Sequence, residues 1–394
     1  MHILFCNYEY PPIGGGGGQF NALLAEKLSL KHQVTVLTSD VPGLEQDSTM
    51  NGVRVIRVPI YFRGDRSAAN LFSLMAYVIN GYRFGVKFLR DNPVDIINTH
   101  FALPTGPVGD WLSRKFDIPN VLSLHGGDLY DPSKYMSPHR HGIFRAIIRR
   151  ILKRADSLIA QSENTRENAF KYYRKDINIK IIPLGIKNPP TISSTSRRSD
   201  YGLADDDIVW ITVSRLVSRK AIDRLIHVFS NQNTGQSKLV IIGSGPQEAR
   251  LRSICNELGI ADQVIFSGYI SEEDKFILLS LADIYVSTSQ HEGFGISYLE
   301  AMACELPVVC YDYGGQTDFL QSDKTGYIVE LNNEQVMRDC CLKLEQTPKL
   351  RQQFGDFNSK IAKSYFIDVC ATSYENTFEQ IIGNKKLEHN SFET

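Results

Sequence analysis

A chain of 394 residues is too long for a single compact core and fits two domains of about 190 residues each. Its apolar (42%) and charged (22%) fractions are typical of globular proteins, and no apolar run reaches the roughly 18 residues of a membrane span. The net charge of -1 hides an asymmetry: residues 1–190 carry 24 Lys and Arg against 16 Asp and Glu, whereas the remainder carries 19 against 28. A basic first half favours an anionic partner or surface.

The cysteine content and the N-terminal residues indicate the cellular compartment of the protein. Seven cysteines, without metal-ligand spacing, argue against a disulfide framework and favour a reducing environment. The chain enters a predicted strand at His2–Asn7 without a secretory signal. We therefore expect a cytoplasmic protein, and we expect no nucleic-acid partner.

Five consecutive glycines, Gly14 to Gly18, separate the first strand from an amphipathic helix that is predicted to begin at about Gln19. Glycines in this place let the backbone approach a ligand closely. A flexible linker is the alternative, but linkers do not join an apolar strand to an amphipathic helix. A dinucleotide fingerprint is a weaker rival, because the glycines follow Pro11-Pro12 and no acidic residue closes the next strand, Val34–Ser39.

Four further strands, predicted at 53–58, 95–100, 120–125 and 157–161, alternate with helical stretches. This alternation predicts a parallel sheet, whose ligands gather at the carboxyl ends of its strands. His100 and His125 both fall at such ends. Because a lone histidine is more often structural than catalytic, position alone does not make either of them a site residue.

A basic amphipathic helix is predicted between residues 143 and 154. Its cations are Arg145, Arg149, Arg150, Lys153 and Arg154. Phe144 and Ile148 would insert their side chains if this helix met a bilayer. A second stretch interleaves Arg83, Lys87 and Arg90 with aromatic residues. Two core-facing helices with solvated basic faces are the alternative; given the charge of the whole half, we favour weak attachment to anionic lipid.

A polar linker around Pro189-Pro190 precedes the second half. Asp205-Asp206-Asp207 contains a pattern that some enzymes use for metal binding, but a solvated turn is the better interpretation here. The strand beginning at Val209 ends in a loop that carries Arg215 and Lys220, two cations suited to a diphosphate. A buried strand that ends in a turn is also predicted over Leu239–Pro246. Closing helices are predicted at 334–347, 349–365 and 368–382, with a disordered polar tail beyond Lys385.

The most informative stretch runs from Ser287 to Val309. It predicts a strand end, a glycine loop that contains Glu292, and a helix over 296–304 that contains Glu300 and stops before Pro307. The spacing lets both carboxylates face one cleft. The free N–H groups of residues 294–297 form a helix N-terminus that suits a phosphate.

This stretch resembles the retaining glycosyltransferases of family 4. Their mark is two glutamates separated by seven residues, with Glu-Gly-Phe-Gly at the first and Pro-Val-Val after the helix, as in residues 292–309. The resemblance extends over about residues 1–382. It implies an α/β protein of the GT-B fold, in which two Rossmann-like domains face each other across a deep cleft. The implied domains are an acceptor-side domain (1–187), a nucleotide-sugar domain (188–365), and a helix that crosses back to the first domain, followed by a polar tail (366–394).

The family's functional positions can be transferred to this sequence by motif. The resemblance implies catalytic roles for Glu292, His125, Arg215 and Lys220. It implies donor contacts for Gly15, Gly16, Gly17, Arg215, Lys220, Tyr269, Ile270, Gly293, Phe294, Gly295, Ile296 and Glu300. His100 matches a position that supports the site. Within these contacts, Glu300 would accept hydrogen bonds from ribose, Glu292 and His125 would contact the donor sugar, and neither a metal ion nor a cofactor is expected.

Two departures from the family pattern stand out. Ser214 and Ala221 occupy positions where the family usually has glycine, and Gln316-Thr317-Asp318 replaces a hydrophobic-Pro-Glu sequence. The second departure weakens any transfer of donor preference from other members.

The implied activity is retaining transfer of a sugar from a UDP- or GDP-sugar to an acceptor hydroxyl. The acceptor would be a sugar or a lipid-linked glycan of the cell envelope or of an extracellular polysaccharide, met at the inner face of the plasma membrane. Two alternatives stay open: a GT-B epimerase or phosphorylase, and a non-catalytic nucleotide-sugar binding protein. No site resembling the pyridoxal lysine of a phosphorylase is visible in the sequence, and a binding protein would have no use for Glu292 or His125.

Overall fold

The computed structural model describes residues 1–60, 71–190, 197–230 and 237–392. The chain forms two compact units: unit 1 comprises Met1–Gly185 together with Ile367–Thr394, and unit 2 comprises Ile186–Phe366. The boundaries predicted at 187/188 and 365/366 lie within two residues of these divisions. Part of the predicted linker, residues 191–196, lies outside the described residues.

Unit 1 contains a sheet of eight strands. They are β1 His2–Cys6, β2 Gln33–Ser39, β3 Asp47–Met50, β4 Val53–Val58, β5 Ile96–His100, β6 Asn120–Leu124, β7 Ser157–Ala160 and β8 Lys180–Ile181. Their order is β3-β4-β2-β1-β5-β6-β7-β8, and only β3 runs antiparallel to its neighbour. The parallel strands are continuous apolar runs because helices cover both faces of the sheet. The sequence did not predict β3, an exposed polar edge strand, or the two-residue β8.

In the part of the chain that the structure describes, five α-helices of unit 1 come before the boundary. They are α1 Gly16–Ser29, α2 Leu71–Asp91, α3 Gly106–Phe116, α4 Gly142–Arg154 and α5 Glu163–Tyr172. One apolar cluster lies where α2 and α3 pack on the sheet, and it includes Leu4, Ile97 and Leu112. A second cluster joins α4 and α5 to the sheet and includes Ile148 and Leu158.

Unit 2 is a second parallel sheet, of six strands. They are β9 Ile208–Val213, β10 Ser237–Ile242, β11 Val264–Gly268, β12 Ile284–Ser287, β13 Val308–Tyr311 and β14 Gly326–Val329. Their order is β11-β10-β9-β12-β13-β14. The helices around it are α6 Ile222–Ser230, α7 Glu248–Glu257, α8 Glu272–Leu281, α9 Ile296–Ala303, α10 Glu334–Gln346 and α11 Pro348–Ala362. Trp210 is fully buried in the core of this unit.

The last helix, α12 (Ile367–Phe392), belongs to unit 1, where it packs on α1. Glu375 of α12 accepts hydrogen bonds from Lys31 (3.0 Å) and His32 (2.8 Å). The predicted disordered tail beyond Lys385 is wrong for residues 386–392, which continue the helix. Lys385 donates to the Asp117 carboxylate at 2.8 Å, and this contact anchors the last turns.

The helix after the glycine run begins earlier than predicted. Gly15 is the N-cap of α1, and Gly16, Gly17 and Gly18 form its first turn. A Cβ at Gly17 would lie 2.8 Å from Cζ of Phe101. Close packing on Phe101 therefore requires glycine at this point of the helix, although glycine is a weak helix former.

The basic helix α4 exposes different apolar side chains from those predicted. Ile148 is 0% exposed and belongs to the core, so its predicted insertion into a bilayer is wrong. Ile143 (76% exposed) and Ile147 (37% exposed) face outward instead. No helix among the described residues has both the length and the apolar character that crossing a bilayer requires.

Candidate functional site

The strand order of unit 2 reverses between β9 and β12. In doubly wound sheets, ligands bind at the carboxyl ends of the strands where the order reverses. The loop that follows β9 carries Arg215 and Lys220, and the loop that follows β12 carries Glu292. The topology alone therefore brings these three charged residues, far apart in the sequence, to one edge of the sheet.

Glu292 is held in place by backbone contacts with the loop after β13. Its N–H donates to the carbonyl of Tyr313 (3.2 Å), and its carbonyl accepts from the N–H of Gly315 (2.9 Å). Gly314 has a φ of 138°, and a Cβ there would lie 2.0 Å from the carbonyl oxygen of Glu292. Only glycine fits at this position, which explains the first glycine of the Gly-Gly pair that follows β13.

The Glu292 carboxylate forms an ion pair with Lys220, and Arg219 approaches its other oxygen (Nη1 to Oε2, 3.9 Å). Arg219 also donates to the carbonyl of His291. Burial disfavours the ionised form of Glu292, but Lys220 and Arg219 outweigh it and hold the pKa of Glu292 below its ordinary value. The site thus places a carboxylate and at least two cations together at the sheet edge.

Arg215 is exposed, and its loop is fixed by the loop after β10. The N–H of Leu216 donates to the carbonyl of Ser244 at 2.9 Å. A Cβ at Gly243 would lie 1.9 Å from the carbonyl oxygen of Ser214, so this glycine permits the close approach of the two loops. Tyr269 (81% exposed) and Ile270 follow β11 on the same side of the sheet.

Glu300, in the second turn of α9, is buried, and it does not share partners with Glu292. Its Oε1 accepts a hydrogen bond from Lys275 of α8 at 2.8 Å. Lys275 also donates to both oxygens of Glu272, at 2.9 and 3.0 Å. Burial raises the pKa of Glu300, and Lys275 opposes that rise. One buried lysine therefore bridges two carboxylates of different exposure.

The N-terminus of α9 has the geometry that the glycine loop predicts. Gly295 caps the helix with a φ of 97°, and a Cβ there would lie 2.4 Å from Cδ2 of Tyr298. Phe294 is buried and contacts Phe319 with ring centroids 5.4 Å apart. Gly293 and Ile296 flank these two residues, so the four predicted donor contacts form one continuous turn at the start of the helix.

The strand order of unit 1 reverses between β1 and β5, and the remaining predicted residues lie at that point. The glycine run follows β1, with Gly15, Gly16 and Gly17 at the start of α1. His125 directly follows β6, the neighbour of β5. The Phe101 ring covers the His125 imidazole with centroids 4.3 Å apart, and it also contacts Gly17 as described above. These residues form a cluster within unit 1.

Asp128 fixes the backbone beside His125. Its carboxylate accepts from the N–H of His125 (3.0 Å) and from the N–H of Ala102 (2.6 Å). Burial raises the pKa of Asp128 to about 6. Burial lowers the pKa of His125 to about 3, and the pKa of His100, which lies next to it, is also lowered well below its ordinary value by burial and by His125. Both imidazoles are therefore neutral at neutral pH.

Sequence reasoning missed several polar residues that the structure adds to the site. They are Arg219, Lys275, Asn98 and Tyr374. Arg219 could have been found from its place beside Lys220. In the sequence, Lys275 has the pattern of a lysine on a solvated helix face. Its neighbours in the sequence therefore do not predict its contact with Glu300.

The aspartate run is a turn in the structure. Asp205 and Asp206 are exposed, and the buried Asp207 accepts a hydrogen bond from the N–H of Ala204 at 2.7 Å. Across the described ranges, no three His, Cys, Asp or Glu side chains are placed to hold a metal ion.

Two family models match this chain. The model described as Glycosyltransferase Family 4 matches residues 14–187, and the model described as Glycosyl transferases group 1 matches residues 193–360. The chain is also similar to the alpha-monoglucosyldiacylglycerol synthase of Streptococcus pneumoniae, at 25% identity over 320 residues, which cover 78% of this chain and 70% of that relative.

Solved structures share the architecture. Sucrose-phosphate synthase of Thermosynechococcus elongatus matches with a TM-score of 0.85 and 21% identity, over 98% of this chain and all of that one. HepE of Anabaena, solved in complex with UDP-glucose, matches with a TM-score of 0.78 and 20% identity, over 96% of this chain and all of that one. At these identities the likeness shows a common fold.

Proposed function

The chain belongs to family 4 of the glycosyltransferases and to the glycosyl transferases group 1, and from this premise we propose that it moves a sugar from a nucleotide diphosphate sugar to an acceptor hydroxyl with retention at the anomeric carbon. That it is a glycosyltransferase of the GT-B fold follows from the family and the structural matches. The proposal adds the donor, a UDP- or GDP-sugar, and the acceptor, a sugar or a lipid-linked glycan.

The cluster of Lys220, Arg219 and Glu292 is the observation that carries the proposal. Departure of a diphosphate creates negative charge, which fixed cations in a preorganised site stabilise. In the structure, Lys220 pairs with Glu292. We infer that the diphosphate takes over Lys220 and Arg215, and that the released carboxylate of Glu292 accepts hydrogen bonds from hydroxyls of the donor sugar.

The other predicted residues have compatible roles in this reaction. The N-terminus of α9 offers N–H groups to the diphosphate. Glu300 accepts hydrogen bonds from the ribose, and Tyr269 and Ile270 lie beside the base. His125 and the start of α1 contact the donor sugar.

A direct test is turnover by the purified chain on UDP-, GDP- and ADP-sugars, measured as release of the nucleoside diphosphate. We expect release with one donor class and an acceptor sugar, and proton NMR of the product should show the anomeric configuration of the donor. Activity should survive excess EDTA, because fixed cations take the place of a divalent metal. Tight nucleotide-sugar binding without any transfer or hydrolysis would instead indicate a binding protein, and a changed sugar without transfer would indicate an epimerase.

Weak attachment to an anionic membrane surface through unit 1 is the second part of the proposal. We define the α4 surface as Ile143, Ile147, Arg150 and Lys153, all exposed on one helix. Two predicted cations are engaged elsewhere: Arg149 donates to the carbonyl of Tyr173 (2.9 Å), and Arg154 pairs with Asp110 (3.2 Å). Exposed cations beside exposed apolar side chains suit the boundary between headgroups and acyl chains. The similarity to the alpha-monoglucosyldiacylglycerol synthase of Streptococcus pneumoniae supports an acceptor at a lipid surface.

A further inference from the structure

Five buried side chains of unit 1 form a continuous series of hydrogen bonds that ends at His125. The phenol of Tyr374 donates to Oγ of Ser123 (3.1 Å), whose hydroxyl donates to Oδ1 of Asn98 (3.3 Å). Nδ2 of Asn98 lies 2.9 Å from Nε2 of His100. Nδ1 of His100 lies 3.0 Å from Nε2 of His125. We refer to these five side chains as the relay.

The direction of the first bonds determines the tautomers of both imidazoles. The amide nitrogen of Asn98 can only donate, so Nε2 of His100 must accept and carries no proton. A neutral His100 then carries its proton on Nδ1 and donates it to Nε2 of His125. His125 in turn must carry its proton on Nδ1. That atom is buried and has no hydrogen-bond partner among the described residues.

The opposite direction of the same relay is disfavoured at its far end. The reverse direction requires the Asn98 amide to rotate by 180°, and the phenol proton of Tyr374 would then have no acceptor in the described part of the chain. A buried donor without an acceptor costs about 1 to 3 kcal/mol. Tyr374 is 1% exposed, so a ligand cannot relieve that cost there. In the observed direction the donor without an acceptor is Nδ1–H of His125, whereas the reverse direction leaves both the phenol proton and the basic Nδ1 of His125 unpaired.

Aromatic contacts and burial keep the relay rigid and uncharged. Phe5 stacks on the His100 imidazole at 5.2 Å between centroids, and Phe101 covers His125. The lowered pKa values of the two histidines exclude an imidazolium at neutral pH. His125 therefore offers a neutral N–H.

We propose that the relay fixes His125 as the Nδ1–H tautomer and that this N–H donates a hydrogen bond to a hydroxyl oxygen of the bound donor sugar. Tyr374, Ser123, Asn98 and His100 are positioning residues that act through His125. A bound oxygen would satisfy the last open donor of the relay, so that ligand binding and the relay favour the same tautomer. The ligand rests on the proposed function, whereas the tautomer is a property of the free protein.

The test reads the tautomer without any donor. Nitrogen-15 NMR of histidine-labelled protein distinguishes protonated from unprotonated ring nitrogens, and His125→Gln and His100→Gln variants assign the two residues among the nine histidines. We expect the wild-type His125 to show a protonated Nδ1 and an unprotonated Nε2. Because no turnover is measured, this result is independent of whether the proposed transfer is correct.

Ser123→Ala removes the hydroxyl that orients the Asn98 amide. The amide can then rotate by 180° at little cost, so His125 should become a mixture of both tautomers. Tyr374→Phe keeps the bond from Ser123 to Asn98 and should leave His125 as the Nδ1–H tautomer. Tyr173→Phe is the matched control, since its buried hydroxyl donates to the carbonyl of Leu129 (2.7 Å) outside the relay.

Addition of UDP-glucose tests the ligand separately. If this sugar nucleotide binds, the Nδ1 resonance of wild-type His125 should shift, whereas free UDP should leave it in place. The relay is overturned by a wild-type His125 that is protonated on Nε2, or by Ser123→Ala spectra identical to those of the Tyr173→Phe control. Equal shifts with UDP and UDP-glucose would overturn the sugar contact alone.

Discussion

Lys220 carries the charge stabilisation that we propose for the transition state. Lys220→Ala removes a charge-assisted contact of about 2 to 4 kcal/mol, so the turnover number should fall by about 30- to 1000-fold. It also leaves Glu292 buried without its nearest cation. Lys324 is an exposed lysine of the same unit, so Lys324→Ala is the control and should have the turnover number of wild type. A Lys220→Ala enzyme within about threefold of wild type would refute the assignment.

The two glutamates of the motif have different partners, so their loss should have different effects. Glu300→Gln should weaken binding of the free nucleoside diphosphate, because Glu300 contacts ribose in our proposal. Glu292→Gln should chiefly lower the turnover number, because Glu292 contacts the reacting sugar. Calorimetric titration of both variants with UDP or GDP separates the roles. Equal losses of nucleotide affinity would mean that the two roles are assigned wrongly.

Lys275 should keep nucleotide binding insensitive to pH. Burial raises the pKa of Glu300, and the positive charge of Lys275 limits this rise. The charge of Glu272 raises the pKa further, and the charge of Lys187 lowers it. In Lys275→Met the pKa of Glu300 should rise further, so the carboxylate that binds ribose becomes protonated at a higher pH than in wild type. As the pH is lowered, affinity for the nucleoside diphosphate should then begin to fall at a higher pH in this variant than in wild type.

Lys275→Arg is the matched variant, since it keeps the cation and should keep the pH profile of wild type. If affinity depended on pH in the same way in Lys275→Met and in wild type, Lys275 would not control the ionisation of Glu300.

The backbone of Ala221, at the end of the turn that precedes α6, has an unfavourable conformation. Its φ is 47°, a left-handed conformation that disfavours residues with a Cβ. The family usually has glycine here, and the structure gives the reason. Ala221→Gly should raise the free energy of unfolding of unit 2 by about 1 kcal/mol.

Ala303→Gly, at a helical position in α9, is the control and should lower the free energy of unfolding by about 1 kcal/mol. Thermal melting followed by circular dichroism compares the two variants with wild type. If Ala221→Gly destabilised as much as the control, backbone strain at residue 221 would be excluded.

Most of the elements could be predicted because buried parallel strands are short apolar runs followed by glycine or polar loops. Strands such as β4 (Val53–Val58) were predicted at their observed bounds. β3 was missed because its sequence, Asp-Ser-Thr-Met, carries no apolar signal. The start of α1 was misplaced because the packing of Gly17 on Phe101 depends on a contact between distant residues.

Part of the candidate site could also be predicted from the pattern of strands, loops and helices. The motif at 292–309 predicts Glu292 and Glu300 as site residues, and the loop after β9 predicts Arg215 and Lys220. The strand order explains why Glu292 and Lys220 meet. The bridge from Lys275 to Glu300 could not be predicted, because a lysine on an amphipathic helix has the same local pattern whether it is solvated or paired.

At the scale of the whole molecule, the structural likeness at a TM-score of 0.85 confirms the predicted GT-B fold, and the family matches confirm a glycosyltransferase. Membrane attachment remains a prediction that rests on the charge asymmetry between the two halves of the sequence. Membrane attachment depends on the whole protein, because anionic lipid repels the acidic second half while it attracts the basic first half.

Co-sedimentation with vesicles tests this attachment. Each cation near an anionic surface contributes about 1 kcal/mol, so Arg150→Glu with Lys153→Glu should reduce binding to anionic vesicles by about tenfold or more. Screening within about 8 Å at physiological salt should weaken wild-type binding as salt rises. Ile143→Ser with Ile147→Ser should remove the part of the binding that persists at high salt.

Lys324→Glu with Lys349→Glu makes the same charge change in unit 2 and should leave sedimentation unchanged if only the α4 surface docks. Wild-type protein that stays in the supernatant with anionic vesicles at low salt would show that the α4 surface is an ordinary solvated face.

Helix α12 completes unit 1 but follows the whole of unit 2 along the chain. A ribosome therefore delivers the helix that carries Tyr374 only after every strand of both sheets has been made. Unit 2 can close its core on the nascent chain, while unit 1 still lacks the packing of α12 on α1 and the first bond of the relay. The unit whose synthesis begins first is thus the last to be finished.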